Sequence, residues 1–277
     1  MNRRINNLPV PNRETSKVVI LARGVGKRMR AALADASLTP QQEQIADRGI
    51  KAMIPIGRPF LDHSISALAD AGSSEICLVI GPEHDVIRSY YESLQTTRVR
   101  ISFATQEHPL GTADALRTAQ VFTGSDCFLV INSDNYYPVE ALRKLRELRG
   151  SGTIGFDRAG LLRNGLIAEA RLNAYATLQV GPAGYLRRIN EKPATLEPDA
   201  LISMNCWHFR PSIYCACEAI HPSARGEYEL PSAVQYAIEN LDAHFQVIPF
   251  SGEVLDLSTR TDIRTVARAL EGHSVEL

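Results

Sequence analysis

The sequence has 277 residues, of which 44% are hydrophobic and 22% charged, with a formal net charge of -1. This balance is typical of a globular protein and gives no global attraction to nucleic acid or to an anionic membrane. The basic residues 1–16 contain no apolar signal-peptide core, and no run approaches the roughly 18 apolar residues of a spanning helix. Five cysteines in mostly apolar settings are typical of buried thiols. We therefore expect one cytoplasmic domain over residues 1–277, with neither nucleic-acid nor membrane partners.

The first half of the chain alternates between apolar strands and amphipathic helices. A threonine cap, a proline and a glutamine in residues 39–42 predict a short helix that ends at Gly49. This segment suits either a surface insertion or a flap over the preceding loop. Strands are predicted at 18–21, 76–80, 99–104 and 128–131, and helices at 59–71, 84–93, 112–121 and 139–148. The alternation predicts a parallel sheet with helices on both faces and ligands at the carboxyl ends of its strands.

The second half changes character but shows no linker and no repeat. Two strand-like segments, 175–180 and 186–190, flank the sequence GPAG, which is a strong hairpin signal. Further strands are predicted at 202–209 and 244–249, and helices at 230–239 and 261–270. The pattern predicts that both halves belong to one continuous α/β unit.

A glycine turn follows the first apolar strand. Gly24 and Gly26 allow backbone N–H groups to approach a ligand, and Arg23, Lys27 and Arg28 add positive charge. No Gly-Lys-Ser/Thr follows the turn, and the third glycine of a dinucleotide fingerprint is missing. The residues by themselves leave two interpretations open, a cradle for a polyphosphate and a tight strand-to-helix turn.

Seven segments in chain order resemble the sugar-1-phosphate nucleotidyltransferases, the nucleotide-sugar pyrophosphorylases that include glucose-1-phosphate thymidylyl- and uridylyltransferases. The segments are LARGVGKRM, KAMIPIGRPF, QEHPLGTADA, FLVINSDNYY, INEKP, MNCWHF and VLDLSTRTDI. The resemblance implies a Rossmann-like, mostly parallel mixed sheet with helices on both faces, which is a GT-A-like α/β fold. It also implies a nucleotide-binding half over about 17–134 and a sugar-binding half over about 135–277.

The resemblance implies transfer of a nucleotidyl group from an NTP to a sugar 1-phosphate, with Mg²⁺ as cofactor and pyrophosphate as the second product. The catalytic cations that it implies are Arg28, Lys51 and Lys192. The implied nucleotide contacts are Leu21, Ala22, Gly24, Gly26, Gln106, Gly111 and Thr112. The implied sugar contacts are Ala176, Glu191 and Asn205, and the implied metal ligands are Asp134 and Asp256.

The chemistry of the two aspartates supports the implied metal site. Asp134 follows an apolar strand, and Asp256 lies between apolar residues, where an unpaired carboxylate would be costly. Hard carboxylate oxygens suit Mg²⁺, which also takes phosphate oxygens and water. Taken singly, Asp134 suits an Asx turn and Asp256 a helix cap. Asp114 is interpreted as an acid in the first turn of a helix, where it favours the helix dipole.

Four positions depart from the family pattern: arginine and lysine replace alanine and threonine in the glycine turn, and serine and alanine replace glycines. These positions are Arg23, Lys27, Ser133 and Ala176. The base of the nucleotide is expected to be uracil or thymine, and guanine is also open. The sequence leaves open which sugar is bound and whether the protein forms a homo-oligomer. A non-catalytic nucleotide-sugar-binding regulator on the same fold is the alternative, and an oxidoreductase is disfavoured by the incomplete glycine fingerprint.

Overall fold

The computed structural model describes residues 14–31 and 38–277. Most of the basic N-terminal stretch lies outside the described residues, as do residues 32–37 of the inserted segment. No helix in these two ranges is long and apolar enough to cross a bilayer.

The elements follow one another in chain order. The helices are α1 (Lys27–Arg30), α2 (Pro40–Arg48), α3 (Phe60–Asp70), α4 (Asp85–Ser93), α5 (Thr112–Thr118), α6 (Gln120–Thr123), α7 (Val139–Arg146), α8 (Arg158–Leu162), α9 (Ile213–Ala219), α10 (Leu230–Asn240) and α11 (Arg260–Ala269). The strands are β1 (Lys17–Leu21), β2 (Pro55–Ile56), β3 (Arg58–Pro59), β4 (Glu75–Ile80), β5 (Arg100–Thr105), β6 (Phe128–Asn132), β7 (Asn135–Tyr136), β8 (Ser151–Phe156), β9 (Ala176–Val180), β10 (Leu186–Asn190), β11 (Leu201–Phe209), β12 (Phe245–Phe250) and β13 (Leu255–Asp256). Short 3₁₀ helices cover Lys51–Met53, Arg163–Gly165 and Glu169–Ala174.

Strands from both halves of the chain share one sheet, which runs in the order β10-β9-β11-β6-β1-β4-β5, with β8 beside β11 and β12 beside β8. The strands β6, β1, β4 and β5 are parallel, whereas β11 is antiparallel to β6, β8 and β9. The expected mixed α/β sheet is confirmed. Because the four parallel strands point the same way, the loops that follow them meet at one edge of the sheet.

Apolar side chains pack on both faces of the sheet, as the unbroken apolar run of β1 predicts. Val18 and Ile20 belong to one buried cluster, and Val19 and Leu21 belong to the cluster on the opposite face. This division follows from the strand pleat, which sends successive side chains to opposite sides. A third cluster joins α1, α2 and α11, and it includes Met29, Ala46 and Ile263.

Most of the predicted elements are confirmed, with shifts of one or two residues at their ends. The helix at 39–49 forms as α2, with the Thr39 and Gln42 side chains completing a capping box. The helix predicted at 112–121 is divided into α5 and α6. The strand β8 and the helix α9 were not predicted. The expectation of buried thiols is wrong for Cys215, which is exposed.

The fully buried His208 on β11 makes the stability of the fold depend on pH. Burial lowers the pKa of His208 from 6.5 to about 4. Its Nδ1 lies 2.7 Å from the Gly150 carbonyl, which only accepts, so Nδ1 donates and Nε2 is left to accept from the Thr15 hydroxyl at 2.7 Å. The neutral ring is thus the form that the folded state prefers.

We predict that this group contributes stability that is present above about pH 6.5 and is lost as the pH falls towards 4. The loss should reach about 3 kcal/mol, since the unfolded chain binds the proton first. The measurement is urea unfolding at pH 7, 6 and 5 for the native chain and for His208→Asn, which keeps a donor but cannot titrate. Equal pH dependence in the two proteins would contradict the assignment.

Candidate active site

A pocket of about 290 Å³ opens at the edge where the parallel strands end. All the predicted nucleotide contacts except Gly26 line it, together with Lys51 and Asp134. The lining residues are Leu21, Ala22, Arg23, Gly24, Val25, Ile50, Lys51, Ala52, Gln106, Pro109, Gly111, Thr112, Ala115, Asn132, Ser133, Asp134 and Glu227. Glu227, in the acidic turn that precedes α10, also borders the pocket.

The two glycines of the turn have different surroundings. Gly24 faces the pocket, and a Cβ built on it would meet no atom within 4 Å. Gly26 has a φ of +59° and lies so close to Gly49 that a Cβ would come within 2.2 Å of the Gly49 carbonyl oxygen. Gly49 caps the C-terminus of the inserted helix α2. The end of the inserted helix therefore contacts the glycine turn directly.

Arg23, a departure from the family pattern, joins the loops at the ends of three strands. Its buried guanidinium donates through Nε to the Gln106 carbonyl at 2.7 Å and through Nη2 to the Glu107 carbonyl at 3.2 Å. Nη2 also lies 3.4 Å from the Glu83 carboxylate. Lys27 and Arg28, by contrast, are exposed on α1. The extra charge of Arg23 is thus used inside the protein, beside the pocket.

The expected base contact Gln106 is held by two acceptors. Its side chain is buried, and Nε2 donates to the Gly111 carbonyl at 3.0 Å and to Asp114 Oδ2 at 2.7 Å. Gly111 has a φ of +108°, and a Cβ there would meet the Tyr228 backbone at 2.4 Å. Asp114 therefore does more than favour the dipole of α5. Sequence spacing carried no signal for this contact, because Gln106 lies in a loop and Asp114 in a helix.

The two expected metal carboxylates are brought together by a short antiparallel pair. In the pairing of β7 with β13, Asp256 lies opposite Asn135, and the Leu257 N–H donates to the Asp134 carbonyl at 2.8 Å. Lys51 Nζ lies 2.8 Å from Asp134 Oδ2. Each carboxylate consequently lies within the other's field.

Asp256 is buried and receives three side-chain donors. Arg171 Nη2 donates to Oδ2 at 2.6 Å, Tyr175 donates to the same oxygen, and the Ser258 hydroxyl donates to Oδ1 at 2.7 Å. Burial and then the charge of Asp134 raise the pKa of Asp256, and the three donors oppose this shift. The carboxylate is therefore partly compensated by the protein itself.

The donor set of this pair suits magnesium. In the described part of the chain, no group of three or more His, Cys, Asp or Glu side chains is arranged to hold a metal. Mg²⁺ does not need such a group, because it binds through one or two carboxylates and completes its shell with substrate phosphates and water. Asp134 borders the pocket, and Asp256 lies beside it. The residues present therefore fit this cation.

The predicted sugar contacts lie away from the pocket lining. Ala176, at the start of β9, pairs with Ser203 of β11, where the bulge of β11 begins. Asn205 lies two residues further along β11, so Ala176 and Asn205 belong to neighbouring parts of the sheet. Asn205 has a φ of +56°, and Lys192 has a φ of +44°. Such left-handed residues are uncommon outside glycine and are often found at functional sites. Glu191 and Lys192 are exposed.

The fold is that of the nucleotide-sugar pyrophosphorylases. A solved UDP-glucose pyrophosphorylase in complex with UDP-glucose matches with a TM-score of 0.73 at 17% identity, over 92% of this chain and 98% of that one. A UDP-glucose pyrophosphorylase from Acinetobacter baumannii matches with a TM-score of 0.70 at 16% identity, over 94% of this chain and 95% of that one. At these identities the likeness establishes the fold.

The chain belongs to the nucleotidyl transferase family, whose model matches residues 17–271. It is 27% identical over 257 residues to a glucose-1-phosphate thymidylyltransferase of Streptomyces griseus, over 91% of this chain and 65% of that protein. It is 28% identical over 228 residues to the UTP–glucose-1-phosphate uridylyltransferase AglF of Haloferax volcanii, over 81% of this chain and 84% of that protein. The resemblance drawn from the seven segments is confirmed.

The two glycines of the turn offer a matched pair of substitutions. Gly26→Ala should lower the free energy of unfolding by at least about 2 kcal/mol, because the residue has positive φ and its Cβ would overlap the Gly49 backbone. Gly24→Ala should leave the melting temperature unchanged, since its Cβ enters open space. Thermal unfolding of both variants is the measurement. Equal melting temperatures would show that the Gly49 contact does not hold the turn.

Proposed function

We propose that this protein transfers a nucleotidyl group from an NTP to a sugar 1-phosphate and releases pyrophosphate. The observation that carries the proposal is the convergence of Asp134, Asp256 and Lys51 beside a pocket that Gln106 also lines. Transfer at phosphorus depends mainly on positioning the substrates and on neutralising their charge. This arrangement provides a group that can position the base and groups that can neutralise charge.

The names of the relatives support particular substrates. One relative is named as a glucose-1-phosphate thymidylyltransferase, and another is named as a UTP–glucose-1-phosphate uridylyltransferase. The chain spans 65% of the first relative, so the substrates are proposed here from the pocket and the names together. UTP or dTTP is the favoured nucleotide and GTP a third candidate, with a hexose 1-phosphate as the acceptor.

The proposed reaction is an in-line displacement at the α-phosphorus. The base lies towards Gln106 and the phosphates lie over Gly24, whose missing side chain leaves room for them. An oxygen of the sugar phosphate forms a bond to the α-phosphorus. The bond from this phosphorus to the bridging oxygen breaks, and pyrophosphate leaves with the electron pair. Arg28 and Lys51 neutralise the leaving phosphates, and Lys192 binds the sugar phosphate.

Asp134 and Asp256 would hold Mg²⁺, which supplies positive charge at the reacting phosphates when it is bound. In this structure Lys51 pairs with Asp134, so its ammonium group lies where it can pass from the carboxylate to a phosphate. Glu191, Asn205 and Ala176 are proposed to contact the sugar, in a second half of the same single domain.

The proposal extends to the setting of the protein. Cys77, Cys206 and Cys217 are buried free thiols, which supports a reducing compartment such as the cytoplasm. The relatives are named as transferases, and the non-catalytic regulator finds no support among them.

The test is pyrophosphate release with Mg²⁺, with UTP, dTTP, GTP, CTP and ATP each crossed with a panel of sugar 1-phosphates. We expect release with UTP or dTTP and a hexose 1-phosphate. If no pair of substrates released pyrophosphate although calorimetry still showed nucleotide binding, this result would reject the transferase assignment and favour a regulator.

Asp134→Asn should lower kcat about 100-fold or more, because the amide keeps the shape but removes a charge that would hold the cation. Thermal unfolding should show an intact fold, since the side chain is only half-buried at the pocket edge. The matched control is Asp199→Asn, at an exposed position in a loop. Native rates in Asp134→Asn would remove this residue from the metal site.

Lys192→Ala should raise the KM for the sugar phosphate about tenfold and leave the KM for the NTP unchanged, because it removes one charged contact to only one substrate. Lys144→Ala, at an exposed lysine on α7, is the control. Steady-state kinetics with each substrate varied in turn provides the measurement. An unchanged KM for the sugar phosphate would assign that contact to another residue.

A further inference from the structure

The amide of Gln106 has only one orientation that satisfies its neighbours. The two groups that contact Nε2 are a backbone carbonyl, that of Gly111, and the Asp114 carboxylate. An ionised carboxylate and a carbonyl oxygen accept hydrogen bonds and cannot donate them. Both hydrogens of the Gln106 amide are therefore used, and the NH₂ group must face these two acceptors.

The opposite orientation would set oxygen against oxygen. A flipped Gln106 would place Oε1 against both acceptors and leave their hydrogen bonds unmade in a buried site. The backbone of Gln106 is held as well, since its N–H donates to the Ile80 carbonyl at 2.8 Å and its carbonyl accepts from Arg23 at 2.7 Å. Rotation of the whole residue is thus opposed from two sides.

One polar atom of the Gln106 side chain is left for a ligand. Within residues 14–31 and 38–277, no protein group donates to Oε1, and the residue lines the pocket. This oxygen can only accept a hydrogen bond. The pocket wall therefore presents an acceptor where the resemblance implied a base-reading group.

We propose that Asp114 is a positioning residue that locks Gln106 as an acceptor, so that the pocket selects nucleotides whose base carries a ring N–H. This inference rests on the proposed function for its ligand class. Uracil and thymine have N3–H, and guanine has N1–H, so each satisfies the oxygen. Cytosine and adenine have an unprotonated ring nitrogen at the corresponding edge, which would leave two acceptors face to face.

The test compares how tightly UTP and CTP bind, measured by calorimetry, with kcat/KM for the two nucleotides as the second readout. The native protein should prefer UTP at least about 100-fold. In Asp114→Asn the new amide can donate to Oε1 of a flipped Gln106, which leaves only the Gly111 carbonyl opposed to that orientation. The preference should then fall to within about tenfold, with the melting temperature unchanged.

Two variants serve as controls. Asp114→Glu keeps an acceptor and should keep the preference for UTP. Glu107→Gln makes the same change of charge in the loop that holds Gln106, at an exposed side chain, and should also keep the preference for UTP. If Asp114 acted in folding alone, its substitution would lower the melting temperature or weaken the binding of both nucleotides equally. The ratio of the UTP and CTP affinities would then stay unchanged.

The outcomes separate this inference from the proposed function. A native protein that binds CTP as tightly as UTP, or an Asp114→Asn variant with the native ratio, overturns the inference whatever the turnover. A protein that binds UTP selectively, loses this selectivity in Asp114→Asn and yet releases no pyrophosphate supports base selection and rejects the transferase assignment.

Discussion

The site depends on two like charges that the fold forces together. Asp134 and Asp256 are far apart in sequence, and the pairing of β7 with β13 places them side by side. Burial and mutual repulsion make this arrangement costly without compensating cations. Lys51 and Arg171 provide the opposite charge, each from a different short 3₁₀ helix. The carboxylate pair therefore exists only when segments from four parts of the chain have converged.

The glycine turn is tied to the same assembly. Arg260, which follows the second carboxylate on α11, donates to the Met29 carbonyl of α1 at 2.9 Å and pairs with Asp47 of the inserted helix at 2.5 Å. Gly49 at the end of that helix packs against Gly26. Because α1, α2 and α11 share one apolar cluster, the turn and the carboxylates form a connected unit.

Local patterns predicted most of the elements, because strand alternation, apolar runs and capping residues are signals between near neighbours. The capping box at Thr39 and the apolar run of β1 show this. Two glycines in β8 weakened its strand signal. Within the site, the predicted nucleotide contacts other than Gly26 line the pocket. The roles of Arg28, Lys192 and the sugar contacts remain predictions, since none of these residues borders it.

The sequence by itself determined most of the strands and helices, the α/β class and the order of motifs that indicated the family. Only the tertiary structure decided which partner each buried polar group has. Arg23 meets a carbonyl 83 residues away, and Arg171 meets Asp256 85 residues away. Asp114 orients Gln106 across a loop and a helix turn. No local period encodes such contacts; burial removes the competing water, so the geometry of the whole fold sets the direction of each hydrogen bond.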